Sequence, residues 1–306
     1  MNSSSILRPP YLKAGDTVGL LALASKFDYD HVIPPAIEVL KNWGLNVIEG
    51  ESLKGDWNTF AGTDIMRLKD YQTFLDNPEI KAIISARGGY GSSRILESVD
   101  YSGFKKNPKW VVGFSDITAV LCDLYNQGYE SLHATMPKLF FQDSTGYSLE
   151  SLRKCLFGEA MIYVTSPNSQ NRLGNASGKL VGGNLCLFTH VIGSKAEVDT
   201  TGKILFIEET DEYHYSIDRY MVQLRRAGKL ANLAGLIVGS FSDLHDTPQD
   251  FGKTTNEIVQ YWVRDYAFPV AYGFPVGHEA GNLAMLVGRD VQLQVGQDDV
   301  KVTFAP

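Results

Sequence analysis

A two-domain α/β protein is predicted from three features of this 306-residue sequence. In the N-terminal half, short apolar runs alternate with amphipathic helical segments. A polar Ser/Asn/Gly stretch follows at 164–178, and short strands dominate after it. Strands alternating with helices imply a doubly wound parallel sheet. The expected bounds are 1–150 for this first domain, 151–178 for a linker, and 179–306 for a β-rich α/β domain. Two domains suit the length. A composition 44% hydrophobic and 21% charged is that of a globular chain.

"TVGLLAL" (17–23) has no polar alternation, which suits a strand buried on both faces. Ile33, Ala36, Ile37, Leu40 and Trp43 then fall at helical spacing, with Pro34 and Pro35 placed in a first turn. "LNVIEG" (45–50) reads as a second strand. Residues 63–76 read as a helix opened by Thr63 and Asp64, with Ile65, Leu68, Phe74 and Leu75 as its apolar stripe. "IKAIISA" (80–86) and "KWVVGF" (109–114) are strands three and four. After Ser115, the residues Ile117, Val120, Leu121 and Leu124 make an i, i+3, i+4, i+7 stripe. "YESLHA" (129–134) is a fifth strand, and 145–160 a helix. Beyond 179 come "KLVGG", "KILFIEE", "LAGLIVGSF", "FPVAYGF", "LAMLVGRDVQLQV" and "VKVTF", with helices at 216–228 and 254–265.

A formal net charge of −7 without a basic run argues against nucleic acid. "RRAGK" (225–229) reads as a helix end. Cys122, Cys155 and Cys186 form no metal-binding spacing, and a sparse odd count fits a reducing compartment. No stretch of about 20 apolar residues spans a bilayer, and the N-terminus lacks a secretory pattern. A cytoplasmic protein without membrane partners is expected.

Ligands bind outside the carboxyl ends of the strands in such sheets. Two loops fall there. Ser115, in "GFSD", is either an N-cap or a nucleophile raised above the sheet on a tight turn; G-F-S-D-I only half matches the hydrolase pattern. "ARGGYGSS" (86–93) is either a flexible turn or a loop whose backbone N–H groups approach a ligand oxygen. It fails as a dinucleotide fingerprint, because Arg94 stands where a third Gly belongs, and Thr247 spoils a P-loop reading of "FGKTT" (251–255). Glu208 directly follows "ILFI", at the edge of a core where a carboxylate needs a partner; Glu209 and Glu212 are its rivals. His214 lacks an HExxH context for a metal. His278, in "GFPVGHEAGN", sits on a loop from which it can act as a general base. His133 ends the fifth strand near the cleft, whereas His31, His190 and His245 are weaker candidates.

Taken together, "RGGYG", "VVGFSDIT", "LVGGNL", "ILFIEE", "YSIDR" and "GFPVGH" occur in the order found in the LD-carboxypeptidases (muramoyltetrapeptide carboxypeptidases) and the related microcin C immunity peptidases. The chain resembles that family from about Gly15 to its C-terminus. The resemblance implies a class I glutamine amidotransferase-like N-terminal domain and a homodimer, with no cofactor and no metal. It implies a catalytic Ser115, Glu208 and His278, and an oxyanion hole from the backbone of Gly89 and Asp116. Gly88, Arg87 and Tyr90 are implied at the substrate. Arg87 and Arg94 are candidates for the substrate carboxylate, and Arg219 for an ion pair with Asp218 or another acid. The implied reaction releases a terminal D-Ala from murein tetrapeptide, a muropeptide, during wall recycling. The alternative is cleavage of a peptidyl-nucleotide, and a third reading is a non-catalytic ligand binder. "HATMP" (133–137) departs from the Gly-rich stretch of many relatives. The lack of a long Trp-bearing insertion before the histidine favours the murein branch.

Overall fold

In the computed structural model, which describes residues 6–306, the apolar runs form strands close to those expected. β1 (Thr17–Leu21), β2 (Asn46–Glu49), β3 (Ile80–Ser85), β4 (Trp110–Gly113) and β5 (Ser131–His133) are all parallel, in the order β2-β1-β3-β4-β5. β3 and β4 bury almost every side chain, as sheets covered on both faces do. In this strand order the switch point lies between β1 and β3. The connections carry α1 (Tyr29–Asn42), α2 (Asp64–Asp76), α3 (Ser102–Lys106) and α4 (Thr118–Asn126).

Two helices differ from expectation in detail. The Asp28 carboxylate caps α1 by accepting from the His31 N–H, so the helix starts before Pro34 and both prolines lie inside it. The Thr63 hydroxyl caps α2 as expected, but Ile65 is 79% exposed. The inward face of α2 is instead Arg67, Asp70, Tyr71, Phe74 and Leu75.

The remaining strands are β6 (Ile162–Thr165), β7 (Gly174–Asn184), β8 (Ile204–Thr210), β9 (Gly235–Ser242), β10 (Val270–Tyr272), β11 (Met285–Val287), β12 (Asp290–Val295) and β13 (Val300–Phe304). Seven of them form a mixed sheet, β10-β9-β8-β7-β12-β13-β6, parallel from β10 to β7 and antiparallel beyond. Helices α5 (Tyr147–Phe157), α6 (Leu185–His190), α7 (His214–Arg226) and α8 (Thr255–Val263) complete the chain. The polar stretch 164–178 is therefore not all loop, since β6 ends within it and β7 begins within it. β12 alternates buried and exposed residues along its length, so one of its faces meets water.

The two sheets share one core. β11 crosses back and pairs antiparallel with the β5 edge of the first sheet. Near it the buried Arg289 grips Glu130 through two bonds of 2.6 and 2.7 Å. Such paired, planar contacts hold strands of distant sequence in fixed register. At the other contact, the Asn184 N–H donates to the Thr118 hydroxyl at 3.1 Å. Gly183 makes this approach possible, because a Cβ there would run into Thr118. The carboxyl ends of β3 and β4 thus face those of β7 and β8.

Candidate active site

Ser115 is the first residue of a single 3-10 turn between β4 and α4. It has φ +60°, a left-handed conformation that costs a side-chain-bearing residue energy. It caps no helix. The residue flanking the turn is Phe114, and no side-chain cap is formed. This excludes the cap reading and leaves a half-buried hydroxyl standing above the sheet.

The Gly loop after β3 lies against this turn. A Cβ at Gly88 would sit 3.1 Å from Ser115 Oγ and 3.3 Å from the Asp116 nitrogen. Gly89 has φ +104° and approaches Ser25 too closely for any side chain. Among the described residues, the N–H groups of Gly88, Gly89 and Asp116 donate to no protein acceptor. The Asp116 side chain fixes the loop instead. Its carboxylate accepts from the N–H of Ser92 at 2.8 Å and of Gly91 at 3.3 Å, and its carbonyl accepts from the Ser92 hydroxyl. Burial raises the Asp116 pKa against the pull of these donors.

Glu208 is completely buried near the end of β8. Its Oε2 is 2.7 Å from His278 Nδ1, and Oε1 has no partner. β8 is buried on both faces, so the two successive carboxylates are both buried, and the pairing with β9 shifts register beside them, between Ile207 and Glu209. Gly277 and Gly239 make room for Glu208; a Cβ on either would lie 3.0 and 3.2 Å from the Glu208 Cβ. The Asn282 side chain closes the histidine loop by accepting from the Gly277 N–H. The His278 ring leans on Phe114, with centroids 4.7 Å apart. Burial opposes protonation of His278, but the charge and hydrogen bond of Glu208 prevail and raise its pKa above the ordinary 6.5.

The rival carboxylates are committed elsewhere. Glu209 accepts from Asn184 Nδ2 at 2.6 Å and from the Cys186 N–H at 2.7 Å, which pins the start of α6. Burial and the neighbouring Glu208 push its pKa up to about 7. Glu212 accepts from the Tyr220 hydroxyl. Ser115, Gly88, Gly89, Arg87 and His278 line one cleft, together with Phe114, Met136, Lys138 and Leu139. Among the described residues no hydrogen bond joins the Ser115 hydroxyl to His278. With Nδ1 taken by Glu208, Nε2 is the ring atom left for the cleft.

Other expectations are corrected. Arg94 is not available to a substrate carboxylate, because Asp64 holds it through Nε and Nη2. Arg219 forms no ion pair among the described residues. It lies over the Tyr215 ring, and Asp218 accepts from the Trp262 indole. His133 is wholly buried with neither ring nitrogen bonded, and burial pushes its pKa down to about 4. It is a packing ring between Phe114 and Phe206. Tyr90 is exposed beside Phe60, just outside the cleft. His214 meets only Asp246, and no group of three metal-ligating side chains exists among the described residues. Sequence reasoning missed Lys138 and Gly277. Lys138 follows the carboxyl end of β5, the position the parallel-sheet rule marks, and Gly277 stands inside the "PVGH" already singled out.

A lone hydroxyl in that setting serves acyl transfer, which places the chain among the serine peptidases. Comparison with known proteins narrows the class. Residues 18–134 match the LD-carboxypeptidase N-terminal domain and residues 177–293 the LD-carboxypeptidase C-terminal domain, so the chain belongs to the LD-carboxypeptidase family. It is 34% identical to a "probable murein peptide carboxypeptidase" of Bacillus subtilis (strain 168), over 95% of this chain and 92% of that protein. It is 26% identical to the murein tetrapeptide carboxypeptidase of Pseudomonas aeruginosa, over 90% and 92% of the two chains. The crystal structure of muramoyltetrapeptide carboxypeptidase from Oxalobacter formigenes superposes with a TM-score of 0.86 at 26% identity, covering 95% and 99%. Microcin C7 self immunity protein MccF, in complex with aspartyl sulfamoyl adenosine, shares the fold with a TM-score of 0.87 at 22% identity, covering 97% and 98%. No helix among the described residues is long and apolar enough to cross a membrane.

Proposed function

We propose that the protein hydrolyses the L,D-peptide bond of murein tetrapeptide and releases its terminal D-Ala, with Ser115, Glu208 and His278 as the catalytic residues. The observation that carries this reading is the 2.7 Å bond from buried Glu208 to a histidine lining the same cleft as Ser115. His278 Nε2 takes the Ser115 proton as the hydroxyl attacks the scissile carbonyl. Glu208 fixes the tautomer and stabilises the imidazolium. The oxyanion is received by the backbone N–H groups of Gly89 and Asp116, with Gly88 beside them. His278 then protonates the leaving D-Ala nitrogen, and water repeats the cycle on the acyl-serine. Arg87 faces the leaving residue and Tyr90 the outer rim.

The same reading carries a class I glutamine amidotransferase-like N-terminal domain, the domain bounds 1–150 and 179–306, a homodimer, and action in the cytoplasm during peptidoglycan recycling. The experiment is mass spectrometry of murein tetrapeptide incubated with the protein and with Ser115→Ala. Loss of one D-Ala, abolished by the substitution, is expected. No loss from the tetrapeptide, with cleavage of an aminoacyl-nucleotide amide, would transfer the residues to the second substrate class.

A further inference from the structure

Two cations stand in the cleft without an acid. Arg87 donates to the Lys26 carbonyl at 2.7 Å, and among the described residues it meets no carboxylate. The ammonium of Lys138 has no protein partner among them, and Arg87 is the one charged group that acts on it. Burial lowers the pKa of both. Other cations around the Gly loop are matched: Arg94 and Arg67 share Asp64, and Lys26 meets Asp56. In a chain of net charge −7, acids are plentiful, yet none faces this pair. Two like charges in a partly desolvated cleft repel each other and are unfavourable until an anion joins them.

The backbone fixes where that anion sits. The Lys138 N–H donates to the Ala86 carbonyl at 3.0 Å, so Lys138 is tied to the residue before Arg87. Arg87 itself directly precedes Gly88 and Gly89. One short segment therefore carries both the free N–H groups beside Ser115 and one of the two cations.

We propose that Arg87 and Lys138 together clamp the free carboxylate of the substrate's terminal residue, and that this clamp confines cleavage to the last peptide bond. The inference rests on the hydrolytic reading of Ser115 and names the group that sets its specificity. Both cations line the same cleft as Ser115 and the Gly loop, so a carboxylate held by them lies close to the bond that Ser115 attacks. A further residue on the substrate would carry its carboxylate about 3.5 Å beyond the clamp. Replacing the carboxylate by an amide would leave both cations without a counter-charge.

The test compares murein tetrapeptide with its C-terminal carboxamide. The wild type should favour the acid in kcat/KM by about 100-fold or more, as two charge-assisted contacts warrant. Lys138→Met should reduce that preference at least about 10-fold, and Lys138→Arg should restore most of it. The Lys138 side chain is exposed, so folding is not at stake. Equal losses on acid and amide, or an unchanged preference, would overturn the clamp. Calorimetric binding of the same two peptides to Ser115→Ala separates the two readings. Carboxylate-dependent binding without wild-type turnover would retain the clamp and reject the hydrolytic assignment. Turnover with no difference in binding between acid and amide would reject the clamp alone.

Discussion

Replacing Glu208 by Gln isolates a single charge. The two side chains have nearly the same shape, so the cradle left by Gly239 and Gly277 stays filled. What disappears is the negative charge 2.7 Å from His278 Nδ1, in a site with no solvent exposure to replace it. The amide can also donate to Nδ1 and present the wrong tautomer to the cleft. Loss of the carboxylate in a serine–histidine–acid arrangement costs roughly 10²–10⁴ in kcat, or about 3–5 kcal/mol of barrier. The pH profile gives a second, independent sign. In the proposed mechanism His278 must be neutral to accept the serine proton, and Glu208 raises its pKa above 6.5. The acid limb of kcat/KM in the wild type therefore lies above that value. Without Glu208 the lowering effect of burial remains, so the limb should move to lower pH. Purified Glu208→Gln assayed for D-Ala release across roughly pH 5–9 reads both effects. A limb that stays in place, or an equal loss of kcat in Glu209→Gln, would refute the assignment of Glu208 as partner of the imidazole.

Three further outcomes are expected. Ser115→Ala should lower D-Ala release by at least about 10³-fold, while Ser115→Gly should be as inactive and yet melt higher, by about 1 kcal/mol of relieved left-handed strain. Gly88→Ala should reduce kcat by roughly 10²-fold with little change in KM, because its methyl group would stand 3.1 Å from Ser115 Oγ and crowd the proposed oxyanion site. Glu209 has a folded pKa raised to about 7 from 4.5. Its contribution to stability is therefore full below about pH 4.5 and lost as pH rises through about 7. Urea midpoints should show this decline, and Glu209→Gln should flatten it, whatever its effect on absolute stability.

The strands of the first sheet were legible because fully buried strands are written as unbroken apolar runs. The start of α1 was not, because a local cap at Asp28 outweighs the preference of Pro34 and Pro35 for a first turn. Ile65 was misread because helical spacing alone does not say which face meets the core; the buried side of α2 carries Arg67 and Asp70, whose polar groups are satisfied there. The crossing of β11 into the first sheet leaves no local signal, since its partner β5 lies far earlier in the chain, and the paired Glu130 and Arg289 beside the ladder are 159 residues apart. Ser115, Glu208 and His278 stood out by motif, but their convergence is a property of tertiary structure. So is the vacancy of an acid beside Lys138, which no inspection of "HATMPKLF" reveals.

Two adjacent glutamates serve two purposes because β8 is covered on both faces. Every residue from Ile204 to Glu209 is buried, so successive side chains stay in the core whichever face they meet. A register shift against β9 falls beside the pair. Glu209 then uses its oxygens on Asn184 and Cys186, tying β8 to the junction of β7 and α6. Asn184 in turn bonds through its backbone N–H to Thr118, at the start of the helix that follows Ser115. A continuous chain of hydrogen bonds therefore runs from the strand carrying the histidine's carboxylate to the turn carrying the hydroxyl. Gly183 permits the close approach on which that chain depends. Burying Glu209 is costly, first through desolvation and then through the neighbouring Glu208, and its raised pKa is the sign of that cost. The N–H groups of Asn184, Cys186 and Thr210 that point at Glu209 offset part of it.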